Sequence, residues 1–473
     1  MLSFKAPVAR TRSVRTLDAA YHRRARSEAA GAPRDAMSRD VTYLNELAAF
    51  AHDFKPADLP SAVLERCKWI LADCMAVIGA GMQQREMRVF TRLHLASSAA
   101  GRASVIGARL KTAAPGAAFL NGIAGTWLEL DEGHTQAKGH PGIQLMPAAF
   151  AYAQEHATSG LELLAAIAIG YEISSRINRA AKIRSAIHPH GTFGVIGAAL
   201  SVARLKHLRQ DEFRCLVNIA AALPLASSYR TLEAGATVRN VFTGHSAFMG
   251  MTAVNLVEAG FTTEPDAVGT TYGELIGDDF DPARVLEALG SHWMTAEGYF
   301  KLHPTARSVH SAIDAVEDAL AAAPAGCVTP ENIARIDVRT YRLAAAKAQK
   351  EVRTAFGAKF SVPFAIATFI VHGRGSLDCF DDAAVNNPAV QKLAGLVELA
   401  EDAGMTQVYP ARQPCEIVRG EPEKPNTLDE VQAKFTQLAV PVWGGTMAGA
   451  LFKDCMAMDS IADVARWSES LTL

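Results

Sequence analysis

Two neighbouring segments indicate an α-helical fold: residues 161–182 read LELLAAIAIGYEISSRINRAAK, and residues 193–206 read FGVIGAALSVARLK. Apolar side chains recur in both with the spacing of an α-helix. Small residues such as Gly194, Gly197 and Ala198 allow two helices to approach each other closely. The pattern therefore predicts helices that are buried in a core, with little of their surface facing solvent.

The same helical pattern extends on both sides of this pair. A first helix begins shortly after Met37, and Gly260 is a C-cap signal at the end of the series. The remaining predicted helices are 61–79, 115–128, 143–157, 211–227 and 244–259.

The pattern changes over residues 293–425. The segment NIARIDVRTYRL (332–343) alternates like a strand, and QPCEIV (413–418) is a second strand candidate. Helical spacing returns over 427–468, with Asn426 or Thr427 as the cap. The sequence thus predicts a mostly α fold: a large all-helical domain, formed by 41–292 plus 426–473, and a smaller α/β lid domain, 293–425, inserted in it. Residues 1–40 are rich in arginine, have no apolar stretch, and are predicted to form a disordered extension.

Composition excludes several classes of function. The chain has 473 residues, 47 basic and 49 acidic, so no overall charge favours nucleic acid or an anionic membrane. Its seven cysteines are scattered without CxxC spacing, which argues against disulfides, thiolate-bound metals and iron–sulfur clusters. No stretch reaches about 18 uninterrupted apolar residues. A soluble protein in a reducing cytoplasm is expected.

Four segments concentrate histidines, acids and cations beside Gly and Pro. The first is ELDEGH, which contains Glu129, Asp131 and His134 and is followed by His140 in GHPG. The alternative interpretation is a helix C-terminus closed by Gly133, with solvated acids and with histidines that cap carbonyls.

The second segment, HPHGT, contains His188, His190 and Thr192 and leads into a predicted helix. A helix N-terminus suits a carboxylate or a developing enolate. Alternatively, these are loop histidines, and Thr192 is an ordinary N-cap. The HxH spacing also resembles a metal site, but no third ligand is evident, so no metal and no cofactor are predicted.

The third segment, GATVRN, contains Arg239, and the fourth, KLHPTARSVH, contains Lys301, His303, Arg307 and His310. Arginine can hold a carboxylate with two hydrogen bonds, whereas Arg239 could also lie on the surface or pair with the acids of the first segment. Arg307 and His310 share a helix face, and a capped helix start is the alternative for this segment. Abstraction of a proton α to a carboxylate needs a base that titrates near neutrality, together with cations that stabilise the growing charge.

With these segments in order, the chain resembles the MmgE/PrpD family over about Val41–Lys434. The motifs that carry the resemblance are FLNGIAGTWLELDEGH, GHPGIQLMPAAFAYA, GYEISSRI, HPHGTFGVIGAAL, GATVRNVFTGHSAFMG, KLHPTARSVHSAIDA, FSVPFAIA and EPEKPNTLDEVQAKF. The resemblance implies a homodimer with its active site between the helical domain and the lid. It also implies site roles for Glu129, Asp131, His140, His188 and the position of Arg239.

Two departures from the family pattern affect the chemistry. Arg239 stands where the dehydratase and decarboxylase branches have lysine, and a guanidinium cannot give up a proton in a protein. Ala306 stands where the decarboxylase has its lid histidine, which leaves His303 or His310 as substitutes. The ELDEGH and GATVRN forms are closer to the epimerase branch.

The leading hypothesis is a cofactor-free hydro-lyase that acts on a small di- or tricarboxylic acid, similar to 2-methylcitrate dehydratase. In this hypothesis His188 or His140 is the base, and a second group protonates the leaving hydroxyl. The alternatives are an isomerase similar to iminodisuccinate epimerase, a decarboxylase, and an inactive dimeric paralogue that binds carboxylates. The predicted substrate-binding residues are Glu129, His134, His190, Thr192, Arg239, Lys301 and Arg307, and the predicted catalytic residues are Asp131, His140, His188, His303 and His310.

Overall fold

Helices form most of the chain in the computed structural model, which describes residues 41–324, 326–408 and 418–472. The helices of eight or more residues are α1 (Thr42–Asp53), α2 (Ser61–Met82), α3 (Arg85–Leu95), α4 (Ala114–Gly125), α5 (Pro141–His156), α6 (Gly160–Ala180), α7 (Gly194–Leu205), α8 (Gln210–Ala221), α9 (Val241–Glu258), α10 (Arg307–Ala322), α11 (Val362–His372), α12 (Pro388–Gly395), α13 (Leu428–Trp443) and α14 (Gly445–Met456). The mostly α fold class is confirmed. No helix in these ranges is long and apolar enough to cross a membrane.

Within the described residues the strands are short and form three pairs. They are β1 (Ala103–Val105), β2 (Leu110–Thr112), β3 (Ala181–Ile183), β4 (Gly277–Phe280), β5 (Ile336–Thr340) and β6 (Val397–Glu401). The pairs β1–β2 and β3–β4 are antiparallel, so the stretch expected to be purely helical also contains two small strand pairs. Strand β5 lies within the predicted segment 332–343 and pairs in parallel with β6. Residues 1–40 and 413–417, the latter from the second strand candidate, lie outside the described residues.

Local sequence explains several helix ends. Ser159 begins α6 with a capping box, in which its side chain and that of Glu162 each accept a backbone N–H of the other residue. Thr427 begins α13 in the same way with Glu430. The predicted helix 211–227 was too long, because α8 ends at Ala221 and a loop follows.

Small residues bring α6 and α7 together as expected. A Cβ atom on Gly170 would lie only 2.5 Å from the carbonyl oxygen of Gly197, so a larger residue would push the helices apart. This contact belongs to a large hydrophobic core shared by α1–α9, α13 and α14. A second core joins α10, α11 and α12 to the β5–β6 pair. Helix α13 packs against α2, although the boundaries of the proposed domains remain a prediction.

Candidate active site

The loop between α4 and α5 places acidic side chains inside the protein. Glu129, Asp131 and Glu132 are all buried, and Glu129 adopts a left-handed backbone conformation with φ 57°. Such a conformation is strained for a residue with a side chain and persists where the surroundings fix it. Lysines fix this loop on both sides of Glu129. Lys359 Nζ donates to the Leu128 carbonyl at 2.8 Å, and Lys434 Nζ donates to that of Leu130 at 2.5 Å.

Glu129 is the centre of a buried ionic cluster. Its carboxylate lies 2.9 Å from Arg239 Nη2 and 2.9 Å from Lys301 Nζ. Burial acts to raise the pKa of Glu129, but the Arg239 guanidinium and the Lys301 ammonium outweigh it and hold the pKa well below its usual range. Arg239 is buried and also donates to Thr126 Oγ1 at 2.5 Å. The interpretation of Arg239 as a surface residue was therefore wrong, and its pairing with the acids is observed.

His140 is oriented by two oxygen atoms. Its Nδ1 lies 2.5 Å from the Glu132 carbonyl oxygen and 3.2 Å from Asp131 Oδ2. A carbonyl oxygen only accepts, so Nδ1 carries the proton of the neutral ring and Nε2 keeps its lone pair. Burial lowers the pKa of His140, although Asp131 opposes part of that effect. This is the arrangement of a general base held by a carboxylate.

His188 and His190 continue a row of imidazoles from His140. The ring centroids lie 4.8 Å apart between His140 and His190, and 4.7 Å apart between His190 and His188. His188 Nδ1 accepts the backbone N–H of His190 at 3.1 Å, so the neutral ring carries its proton on Nε2. Burial, followed by the Arg239 charge, lowers the pKa of both side chains well below the ordinary value. His188 is thus a neutral donor, the opposite of His140.

In the fourth segment Lys301 contacts Glu129, whereas His303, Arg307 and His310 make their contacts outside the row of His140, His190 and His188. The rings of His303 and His310 contact each other at a tilt of 58° with centroids 5.3 Å apart, and burial lowers the pKa of both. Arg307 pairs with Glu421 at 2.9 Å and lies over the Tyr299 ring, 4.1 Å from its centroid. Arg307 is therefore already held by a carboxylate of the protein.

Two further predicted residues, His134 and Thr192, also lie outside the histidine row. His134 Nε2 contacts the Met294 carbonyl oxygen, and its ring lines a separate cavity of about 500 Å³ together with Lys138 and Arg179. The Thr192 hydroxyl donates to the Pro189 carbonyl at 2.5 Å. Thr192 does not cap α7 either, because Phe193 occupies the N-cap position.

Two lysines that the sequence did not single out also surround Glu129. Lys359 and Lys347 are both buried, and Glu129 acts on the pKa of each. Burial lowers the pKa of Lys347 and lowers that of Lys359 to about 7, with Glu129 opposing the shift. Lys347 also lies 5.9 Å from the centroid of Tyr229, whose ring faces His188. The only available sequence signal was that Lys359 directly precedes the motif FSVPFAIA.

Asp131, His140 and His190 are close enough to hold a metal ion, since their ligand atoms all lie within 4.8 Å of one another. Their surroundings oppose a cation. Lys301 Nζ lies 3.8 Å from Asp131 Oδ1, and Asp131 already faces the protonated Nδ1 of His140. The site chemistry fits an anion better, and a function without metal remains a prediction.

Glu132 carries a testable consequence for stability. Burial, with Asp73 and Asp131 nearby, raises the pKa of Glu132 from 4.5 to about 8. Between these pH values the folded protein binds more protons than the unfolded chain, so the free energy of unfolding falls as pH rises. Glu132→Gln should remove this slope and add on the order of 2 kcal/mol of stability at pH 7. Urea unfolding at pH 4.5, 6, 7 and 8 measures it, and an equal effect at every pH would contradict the assignment.

Fold and site together define a mostly helical protein in which histidines and cationic side chains surround buried carboxylates. The chain belongs to the MmgE/PrpD family. The model of the family's N-terminal domain matches residues 45–276, and that of its C-terminal domain matches residues 303–455. The resemblance found in the sequence motifs is thereby confirmed.

Curated relatives carry names of one activity. A cis-aconitate decarboxylase-like protein of Aspergillus oryzae is 26% identical over 462 residues, which cover 89% of this chain and 95% of the relative. The cis-aconitate decarboxylase of Mus musculus is 26% identical over 400 residues, 77% of this chain and 76% of the relative. That of Aspergillus terreus is 25% identical over 292 residues, 58% of this chain and 59% of the relative. The family therefore includes lyases, at identities that leave the reaction of this chain open.

Proposed function

We propose that the chain is a cofactor-free lyase that acts on a small di- or tricarboxylic acid by abstracting an α-proton. The observation that carries this proposal is the orientation of His140, whose Nδ1 faces the Glu132 carbonyl and Asp131 while Nε2 keeps its lone pair. A neutral imidazole held in this way is a competent general base at neutral pH.

The charges around the base support an anionic substrate. Arg239 and Lys301 both pair with Glu129, and Lys301 Nζ also lies 3.8 Å from Asp131. Two further lysines, Lys347 and Lys359, are close enough for the Glu129 charge to act on their pKa. Carboxylates of a substrate would add the negative charge that these buried cations lack, and the cations would stabilise an enediolate. His188, with its proton on Nε2, can donate a hydrogen bond to the same developing charge.

Decarboxylation is the second candidate, because two curated relatives that match this chain over most of their length carry that name. It needs a proton delivered to carbon and not one removed from it. Dehydration is placed first because the oriented Nε2 of His140 is an acceptor. Epimerisation, the third reaction in the family, uses the same abstraction and returns the proton from the other face.

One experiment separates these reactions. Purified protein is incubated in deuterated water with 2-methylcitrate, citrate, cis-aconitate and iminodisuccinate. A new alkene absorbance marks dehydration, release of CO₂ marks decarboxylation, and deuterium at Cα without net reaction marks epimerisation. No exchange, no product and no thermal shift with any of the four would overturn the enzyme proposal and favour an inactive paralogue or a different substrate class.

We also propose a homodimer in the cytoplasm, with no nucleic-acid partner. Both parts rest on the family resemblance and on the charge and cysteine content of the sequence. Light scattering of the purified protein, at micromolar and sub-micromolar concentrations, tests the dimer. A monomeric mass throughout would overturn it.

A further inference from the structure

The proposed reaction needs an acid for the leaving hydroxyl. Glu132 is protonated at neutral pH, but its two carboxyl oxygens are engaged by the Tyr171 hydroxyl at 3.1 Å and the Ile143 backbone N–H at 3.3 Å. Arg239 cannot release a proton, and the position of the family's lid histidine is occupied by Ala306. The three histidines His188, His190 and His310 all have pKa values well below the ordinary value because they are buried. Their neutral rings can donate hydrogen bonds but are very weak acids.

Lys359 lies where these groups are missing. Its carbonyl oxygen accepts the backbone N–H of Ala306 at 2.9 Å, so the two residues are joined side by side. Its Nζ extends to the Leu128 carbonyl, one residue before Glu129, at 2.8 Å. The side chain is only 5% exposed, and no carboxylate lies within ion-pair distance of it in the described residues, whereas Lys301 is held by Glu129 at 2.9 Å.

We propose that Lys359 is the proton donor of the site and replaces the lysine and histidine that Arg239 and Ala306 have displaced. This inference rests on the proposed function. In the elimination, His140 Nε2 takes the proton from Cα, and the C–H electrons form the new double bond. The C–O bond breaks, and the hydroxyl leaves as water with a proton from the Lys359 ammonium. His140 then releases the abstracted proton to solvent and Lys359 regains one from solvent, so no oxidant, reductant or further reactant is needed.

The electrostatics suit this role at neutral pH. Burial lowers the pKa of Lys359 to about 7; of the charged groups facing it, Glu129 opposes the shift and Lys301 adds to it. An acid must be protonated to act, so kcat/KM should fall as pH rises through about 7. His140 must be neutral to act as the base, so kcat/KM should also fall at acidic pH, where the imidazole becomes protonated.

The alternative is that Lys359 only supports the loop, and Lys434, which also pairs with Asp73 Oδ1 at 2.5 Å, provides the control. Both lysines donate to a backbone carbonyl next to Glu129, one on each side. Lys359→Arg and Lys434→Arg keep a cationic donor at each place, but arginine cannot transfer a proton. Lys359→Arg should lower product formation by about 10²–10³-fold, and Lys434→Arg should change it by less than about tenfold. Equal effects of the two substitutions would overturn the proposal.

Deuterium exchange at Cα distinguishes this inference from the proposed function. In Lys359→Arg the exchange should continue while the alkene product is lost, because the His140 step does not need the acid. Parallel loss of exchange and product would overturn the role of Lys359, whereas absence of both in the wild type would overturn the proposed function. The wild-type pH profile needs no variant: a kcat/KM that stays flat from pH 6.5 to 9 also overturns the proposal.

Discussion

His140→Asn should reduce turnover of the proposed substrate by about 10²–10⁴-fold, the usual contribution of a general base. The asparagine amide can still donate to the Glu132 carbonyl, which His140 Nδ1 contacts at 2.5 Å, so the loop keeps its hydrogen bond. What the substitution removes is the unprotonated Nε2. Stability should therefore change little, and steady-state kinetics together with thermal unfolding measure both effects.

The matched control is His156→Asn. His156 ends helix α5, the helix that begins directly after His140, and its Nδ1 contacts the Tyr152 carbonyl in a comparable way. It lies at the opposite end of the helix from the histidine row, so its substitution should leave turnover unchanged. A folded His140→Asn protein with turnover close to that of the wild type would show that another group is the base.

The fold was largely predictable because its signals are local. Helix α6 follows from apolar periodicity and from the pair Ser159 and Glu162, which are close in sequence and form a capping box. Its close contact with α7 follows from Gly170 and Gly197, whose small size is visible in the sequence. The β3–β4 pair was missed because it joins Ala181 to Phe280, and strands of three and four residues are too short to show an alternating pattern.

The candidate site was predictable only in part. Residue types and turn motifs indicated Glu129, His140 and His188, because those side chains lie near Gly or Pro in short segments. The direction of each histidine ring could not be predicted, since it depends on carbonyls such as that of Glu132 and on the backbone N–H of His190. Proximity in sequence also gave a wrong indication for His134, which is six residues from His140 but lines another cavity.

Buried lysines were the main omission. A lysine in a loop usually lies in solvent, and its burial depends on a partner that is distant in sequence. Lys359 is buried because the loop around Glu129 offers it the Leu128 carbonyl, a contact between residues 231 positions apart. No pattern within one segment carries that information.

Glu129→Gln should be the most destabilising substitution in the site. It leaves Arg239 and Lys301 buried with their main counter-charge removed, and the loss of one partner of a buried pair typically costs about 3–5 kcal/mol. Proteins of ordinary stability have roughly 5–15 kcal/mol in total, so the variant should unfold at a clearly lower temperature. Glu287→Gln is the control, because Glu287 pairs with Arg179 at the same distance of 2.9 Å but is 65% exposed. An exposed pair contributes at most about 1 kcal/mol.

The same variant tests whether the cluster binds an anion. If substrate carboxylates complement the charges of Arg239 and Lys301, then citrate or cis-aconitate should restore part of the stability lost in Glu129→Gln. The ligand-induced rise in melting temperature should be larger in the variant than in the wild type, because only the variant lacks the internal carboxylate. Sodium chloride at equal ionic strength separates specific binding from screening. A variant as stable as the wild type, or one that the tricarboxylates stabilise no more than salt does, would contradict an anion site at this cluster.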